Sequence, residues 1–189
     1  MISLPDKKYN IILADPPWRY QDKSCEGSAE SHYSTMSIQE LCALPIKEIS
    51  DVDCVLFLWA TYPMLKEALQ LIESWGFQYK SIAFQWVKKN KSGIGNFYGL
   101  GRWTRGNTEP CLLATKGKPK RQSCSVFQII ESPIRKHSQK PLQQYSLIQK
   151  LMGNQNKIEL FARETMSGWD SWGDQTSKHS QQVLCVEGE

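Results

Sequence analysis

Asp15-Pro16-Pro17-Trp18 follows a short apolar run and sets two hydrogen-bond acceptors side by side. A carboxylate accepts from an N–H. The Pro16 carbonyl accepts from another, because proline keeps its acceptor while losing its donor. Such a pair suits an exocyclic aromatic amine, the adenine 6-amino group for example, whose lone pair is delocalised into the ring and is a poor nucleophile. Two acceptors orient that amine and favour the charge that develops as nitrogen attacks an electrophile. Trp18, Tyr33 or Trp59 can supply a stacking face, worth roughly 1–3 kcal/mol per base. A base inside a duplex cannot reach such a pocket, so it is flipped or already single-stranded. The competing reading is a proline-rich turn holding an acid and a tryptophan, with the aromatics serving as core.

The cations are grouped. Lys88, Lys89, Lys91, Arg102 and Arg105 fall in one stretch, Lys116, Lys118, Lys120 and Arg121 in a second, and Arg135, Lys136 and Lys140 in a third. Trp86, Phe97, Tyr98 and Trp103 lie among or beside the first group. Cations for phosphates and flat rings for bases are what binding of a single strand or a flipped base requires. A solvated surface is the plainer alternative. The net charge of +4 decides nothing by itself.

Metal chemistry is not expected. The six cysteines form no C-x-x-C pair, and His32, His137 and His179 are the only histidines. Cys54 and Cys111 sit in apolar runs and read as small core residues. Met1 to Lys8 is not a secretory signal, so reduced thiols and a cytoplasmic setting are expected. No apolar run approaches the roughly 20 residues of a membrane span.

The elements that must position Asp15 follow from periodicity. Tyr9 to Ala14 reads as a buried strand stopped by the two prolines. Cys54 to Trp59 is apolar throughout, as strands covered on both faces are. Ser81–Val87, Pro110–Thr115, Val126–Ile130 and Lys157–Phe161 are further strand candidates. Ser37 and Glu40 form a capping box that starts a helix. Met64–Trp75 has helical spacing, with Leu65, Leu69 and Ile72 on one face and Gly76 after it. Pro141–Met152 is a helix closed by Gly153. Gln21–Ser31 and Lys88–Asn107 read as loops, the second long enough to be a lid. Strands alternating with helices imply an α/β domain with a largely parallel sheet, whose ligands bind beyond the carboxyl ends of the strands. At 189 residues one domain is expected, over 1–176, with a polar tail at 177–189.

These residues resemble the MT-A type adenine-N(6) methyltransferases. That family includes the catalytic subunit of the eukaryotic mRNA enzyme together with bacterial and phage DNA enzymes. Asp15 to Trp18 looks like its catalytic tetrapeptide. Tyr33 to Ser37, Phe57 to Trp59 with Thr61, Trp86 to Asn90, Trp103 to Glu109, His137 to Pro141 and Glu159 to Arg163 are similar to its further segments, in order. The resemblance runs from about Tyr9 to Gln175.

It implies a Rossmann-like fold with helices on both faces of the sheet and a permuted motif order. S-adenosylmethionine is the implied methyl donor, without a metal. Asp15, Pro16, Pro17 and Trp18 are the implied catalytic residues, Asp15 also meeting the donor's amino group. Tyr33, Trp59, Trp103, Arg105, Glu109 and Lys88 are placed on the substrate side. Lys140, Glu159, Phe161, Arg163, Asp174 and Gln175 are placed on the donor side, Lys140 opposite the donor carboxylate. Residue 174 is Asp where the mRNA enzyme has Asn, and Glu164-Thr165-Met166 replace its histidine–asparagine pair. The implied substrate is adenine in nucleic acid. DNA is favoured because the chain is compact and without RNA-binding modules, while RNA stays open. A non-catalytic subunit is the alternative from another class, which the intact Asp-Pro-Pro-Trp speaks against. A homodimer or a partner subunit is compatible with so small a chain; a membrane partner is not expected.

Overall fold

The protein is seen here as a computed structural model that describes residues 3–20, 35–101, 103–135 and 139–173. Seven strands form one sheet in the order β5-β3-β4-β2-β1-β6-β7. They are β1 (Tyr9–Ala14), β2 (Ser50–Trp59), β3 (Gln78–Lys89), β4 (Thr108–Lys116), β5 (Ile129–Pro133), β6 (Lys157–Leu160) and β7 (Asp170–Trp172). The helices are α1 (Ile38–Cys42), α2 (Ile46–Ile49), α3 (Leu65–Ser74) and α4 (Gln143–Met152).

Strand alternation divides the core in two. Ile12 and Ala14 of β1, with Leu56 and Leu58 of β2, face a cluster completed by Leu41, Ile46, Ala68, Leu71, Ile72 and Trp75 from α1, α2, α3 and its end. Ile11 and Leu13, with Val55 and Phe57, face the other way, onto Ile148 and Met152 of α4. Helices therefore cover both faces, and the strands between them are apolar on both sides. Each fully buried Leu or Ile contributes about 1.5–3 kcal/mol of transfer free energy. Cys54 and Cys111 are both core residues.

Several local expectations hold. Ser37 caps α1 while the Glu40 side chain accepts from the Ser37 N–H at 2.7 Å, a complete capping box. Phe77 N–H bonds the Ile72 carbonyl and Gly76 N–H bonds that of Glu73, the paired closure of a helix that ends in a left-handed residue.

Other expectations need correction. The buried stripe of α3 is Ala68, Leu71 and Ile72, continued by Trp75, while Leu65 lies exposed. The Trp75 indole donates to the Leu41 carbonyl at 2.9 Å and fixes the roll of the helix. The last long-sheet strand before α4 is Ile129–Pro133 rather than Val126–Ile130. It pairs with Gln85–Lys89 at the sheet edge, where Pro133 is tolerated. The short, polar β7 gave no periodic signal. The Gln21–Ser31 loop and the 177–189 tail lie outside the described residues.

Four of the strand pairings are parallel, but β4 is antiparallel to both β2 and β3. It returns from β3 without a crossover helix, and a parallel pairing needs one. The reversal matters for the site. β1, β2 and β6 all end at one edge of the sheet, with Ala14 opposite Leu58 and Leu160. β4 begins there, with Cys111 opposite Trp59. Asp15 and Glu109 thus meet at the same edge from opposite chain directions.

Candidate active site

Asp15 is the first residue beyond β1, and Lys140 reaches it from just before α4. Lys140 Nζ donates to both Asp15 oxygens at 2.8 Å. It also pairs with Glu109 Oε1 at 3.0 Å, and Lys88 Nζ pairs with Glu109 Oε2 at 2.8 Å. Acid and base alternate along the chain Asp15, Lys140, Glu109, Lys88. The side chains of Lys140 and Glu109 are only 7% and 6% exposed. Burial alone would push Lys140 down, but Asp15 and Glu109 outweigh it and hold its pKa raised. Burial alone would likewise raise Glu109, and Lys140 and Lys88 hold it lowered. Both therefore stay charged at neutral pH. The two ammonium groups also stand 5.7 Å over the Trp59 ring and 5.0 Å over the Trp86 ring, within cation–π range.

The Asp-Pro-Pro-Trp segment is a tight turn. Trp18 N–H donates to the Pro16 carbonyl at 2.9 Å, an i to i+2 closure. That carbonyl keeps a second lone pair. Met36 N–H bonds the Pro17 carbonyl at 2.8 Å and Arg19 N–H bonds the Met36 carbonyl at 3.2 Å, so the turn is laced to the segment before α1.

Two aromatic expectations are corrected here. The Trp18 side chain is buried in the first core cluster and its indole donates to the Trp59 carbonyl at 3.3 Å. Trp59 is 1% exposed, and its indole donates to Gln144 Oε1 at 2.7 Å. A buried indole needs a partner for its N–H, and each of these has found one in the protein. Neither ring offers a free stacking face; Trp18 clamps the exits of β1 and β2 together, and Trp59 forms the floor beneath Lys140. The sequence reading missed Tyr20. Its hydroxyl shares a 2.8 Å hydrogen bond with Thr61. Burial raises its pKa, and the charges of Glu109, Lys140 and Asp15 all reach it. No local pattern marked it, because it stands in a polar stretch after the motif.

An open cleft of about 360 Å³ lies beyond β1 and β6. Asp15, Lys140, Glu159, Phe161 and Arg163 all line it. Five of the residues expected on the donor side thus surround one space. Gln144 and Tyr145 close it from the start of α4, and Arg135, Gln139 and Glu164 form its rim. None of these five was expected on the donor side, although all lie in or within a few residues of the segments that carry the resemblance. Tyr145 donates to Glu159 Oε2 at 2.9 Å. Burial pushes Glu159 up to about 7, the Tyr145 bond opposes that, and the Asp15 charge adds to it. Arg135 bonds both Glu164 oxygens at 3.1 and 3.3 Å and the Lys140 carbonyl at 3.3 Å, which ties the rim to the catalytic edge.

The floor at the β6 exit is tight. Phe161 takes φ 60°, uncommon for a bulky residue, with its ring edge-on to Trp172 at 5.4 Å. Gly173 passes so close that a Cβ there would come within 2.6 Å of the Ala162 carbonyl oxygen. Glycine is required at that point by backbone contact.

Not every expected residue comes to the cleft. Trp103 and Arg105 stand exposed on the loop between β3 and β4, and Trp103 does not border the cleft. Lys88 belongs to the site through Glu109. Tyr33, Asp174 and Gln175 lie outside the described residues. Among the described residues no group of three or more His, Cys, Asp or Glu is arranged to hold a metal; all three histidines lie outside them. No helix among them is long and apolar enough to cross a membrane.

The MT-A70 family model matches residues 9–175. The chain belongs to the MT-A70 family. The MT-A70 match takes in every strand, every helix and every residue named in the cleft. A type II methyltransferase, M.MunI, of a Mycoplasma species is 39% identical over 190 residues, covering 90% of this chain and 78% of that protein. A putative MT-A70-like N(6)-adenosine-methyltransferase of Medicago truncatula is 32% identical over 174 residues. The N(6)-adenosine-methyltransferase catalytic subunit METTL3 of Homo sapiens is 30% identical over 172 residues. The match covers about 90% of this chain in both cases but only 27% and 28% of those longer MT-A70 proteins.

Proposed function

We propose that this MT-A70 methyltransferase transfers a methyl group from S-adenosylmethionine to the 6-amino group of adenine in nucleic acid, with DNA as the preferred polymer. The observation that carries the reading is Asp15 lining an open cleft with both acids and bases, the Pro16 turn following it directly in the chain. The cleft's chemistry fits the donor. Lys140 and Arg163 suit a carboxylate and ribose oxygens, while Asp15 and Glu159 suit an ammonium group and hydroxyls. When bound, the donor supplies an electrophilic methyl group on sulfonium. DNA is preferred because the type II methyltransferase is matched along most of its length, the adenosine methyltransferases along about a quarter of theirs.

Asp15 and Pro16 do the protein's part of the chemistry. Asp15 accepts one amine N–H and the Pro16 carbonyl accepts the other, using lone pairs that Lys140 and Trp18 leave free. The amine would be held with its lone pair toward the donor, the carboxylate stabilises the positive charge that grows on nitrogen, and one amine proton is lost to water after transfer. Asp15 orients and polarises more than it deprotonates, since a carboxylate is a weak base for an aromatic amine. Lys140 keeps that carboxylate in place and carries the charge that meets the donor carboxylate.

Radiolabelled S-adenosylmethionine incubated with single- and double-stranded DNA and RNA, each with an adenine-free control, tests the reading. Label in DNA that disappears in its control is the expected result. Label only in RNA overturns the preference for DNA, and none in any polymer despite donor binding overturns autonomous activity. Lys140→Ala should weaken donor binding at least tenfold by calorimetry, the loss expected when a charged hydrogen-bond partner is removed. An unchanged dissociation constant contradicts its placement.

A further inference from the structure

The excursion between β3 and β4, residues 90–107, is an ordered arm. Phe97 N–H bonds the Lys88 carbonyl at 2.8 Å and Gly99 N–H bonds that of Gly106 at 2.7 Å. Asn107 Nδ2 ties the base by donating to the Lys88 carbonyl at 2.8 Å and also to that of Phe97. The tip is a tight turn, because a Cβ at Gly101 would fall 1.8 Å from the Thr104 carbonyl oxygen.

What the arm presents does not suit water. Leu100 and Trp103 at the tip are 94% and 95% exposed, and Ile94 and Tyr98 are exposed behind them. Large apolar groups gathered on one projection mark an interaction surface. Charge selects the partner. From residue 88 to residue 107 the sequence carries five cations and no acid. Lys91 and Arg105 are exposed on the arm itself. Lys88 and Lys89 at the root are paired with Glu109 and Glu131, so Lys91 and Arg105 are the exposed charges beside the tip, and an apolar tip flanked by cations complements a polyanion with an apolar interior. Position points the same way. Trp86 pairs with Glu109 at the arm's root, and Cys111 two residues on pairs with Trp59. The arm therefore springs from the active edge of the sheet, about 7 Å beyond the Trp59 floor at 3.3 Å per residue.

We propose that this arm is a wedge for duplex DNA: Leu100 and Trp103 enter the base stack beside the target adenine and fill the space it leaves when it turns out toward Asp15. Lys91 and Arg105 hold the phosphates on either side. Inserted apolar side chains of this kind unstack neighbouring bases in other DNA-binding proteins. The inference rests on the adenine reading above and adds the element that opens the duplex.

The experiment compares methyl transfer by the parent protein and Trp103→Ala on three substrates: a matched duplex, its adenine-bearing strand alone, and the duplex with an abasic site opposite the target. Leu100→Ser is run beside it. The expected result is a loss of about tenfold or more in kcat/KM on the matched duplex, the scale of one lost stacking contact. Losses of about twofold are expected on the single strand and on the weakened duplex, where less work remains. Equal losses on all three substrates, or none on the duplex, overturn the wedge while leaving adenine methylation standing. A parent protein inert on every adenine-containing polymer overturns the underlying reading instead. Sedimentation of both proteins supplies the remaining discrimination. A shift of Trp103→Ala from dimer to monomer makes the tip a contact between copies and overturns the wedge.

Discussion

The cleft and the arm are built from similar residue types and use them in opposite ways. In the cleft, Lys88, Lys140, Glu109 and Asp15 neutralise one another inside the protein, and the indoles of Trp18, Trp59 and Trp86 are buried beneath them. On the arm, Lys91, Arg105, Leu100 and Trp103 face solvent. The cleft spends its interactions on its own geometry, so its shape is fixed before any ligand arrives. The arm spends its interactions on backbone and leaves its side chains for another molecule. Changes in the cleft should therefore disturb folding and function together, and changes at the arm tip should disturb function alone.

Four substitutions can break or sharpen that contrast. The largest effect is expected from Asp15→Ala, which removes the acceptor that polarises the amine. Transfer should fall by at least ~10²–10³-fold, the scale for losing one preorganised electrostatic contact. Donor binding should fall much less, since Lys140 keeps Glu109 and Glu159 remains for the donor's ammonium group. A mutant with full turnover would sink the assignment. Glu109→Gln comes next. It leaves Lys88 without its carboxylate and Lys140 with Asp15 alone, and stability should fall by about 3–5 kcal/mol, read by urea denaturation. A loss under about 1 kcal/mol would mean that water already screens the pair.

The third test is a pH profile. Glu159 is raised in the folded protein to about 7, against 4.5 when unfolded. The native state thus holds a proton that the unfolded state has lost between those values. Stability should fall as pH rises from about 4.5 to 7, by on the order of 3 kcal/mol. Glu159→Gln should flatten that decline, and an unchanged slope would exclude Glu159 as its source. The smallest effect is expected from Trp103→Ala on stability, within about 0.5 kcal/mol, as for surface substitutions that touch nothing. A clear drop in melting temperature would show that the tip packs against the protein and erase the contrast.

The sequence was most informative where local chemistry and position agree. The Ser37–Glu40 cap, the Gly76 and Gly153 helix ends and the apolar strands β1 and β2 were legible, because each depends on a few neighbouring residues. Asp15, Lys140, Glu159, Phe161 and Arg163 were picked out through family resemblance, and the fold gathers them around one cleft. The role of Trp18 and Trp59 was not legible. Whether an indole stacks on a ligand or donates inward depends on acceptors such as the Gln144 amide, 85 residues from Trp59. The antiparallel course of β4 was equally hidden, since a strand's direction is set by its neighbours and by what connects them. With it was hidden the reason Glu109 shares an ammonium group with Asp15.

The contact between Lys140 and Asp15 joins residues 125 positions apart. During synthesis Asp15 leaves the ribosome long before the base that pairs with it. At the 5–20 residues per second typical of translation, 125 residues take roughly 6–25 seconds. Over the last 31 residues of it, roughly 2–6 seconds, Asp15 and Glu109 are both made with Lys88 as the one cation of the chain of charges, and the edge of the sheet they share cannot dry out around two carboxylates. Arrival of Lys140 with the start of α4 is the event that lets the edge close. A nascent chain stalled before residue 140 should therefore carry a sheet whose first strands are made and whose catalytic rim is still wet.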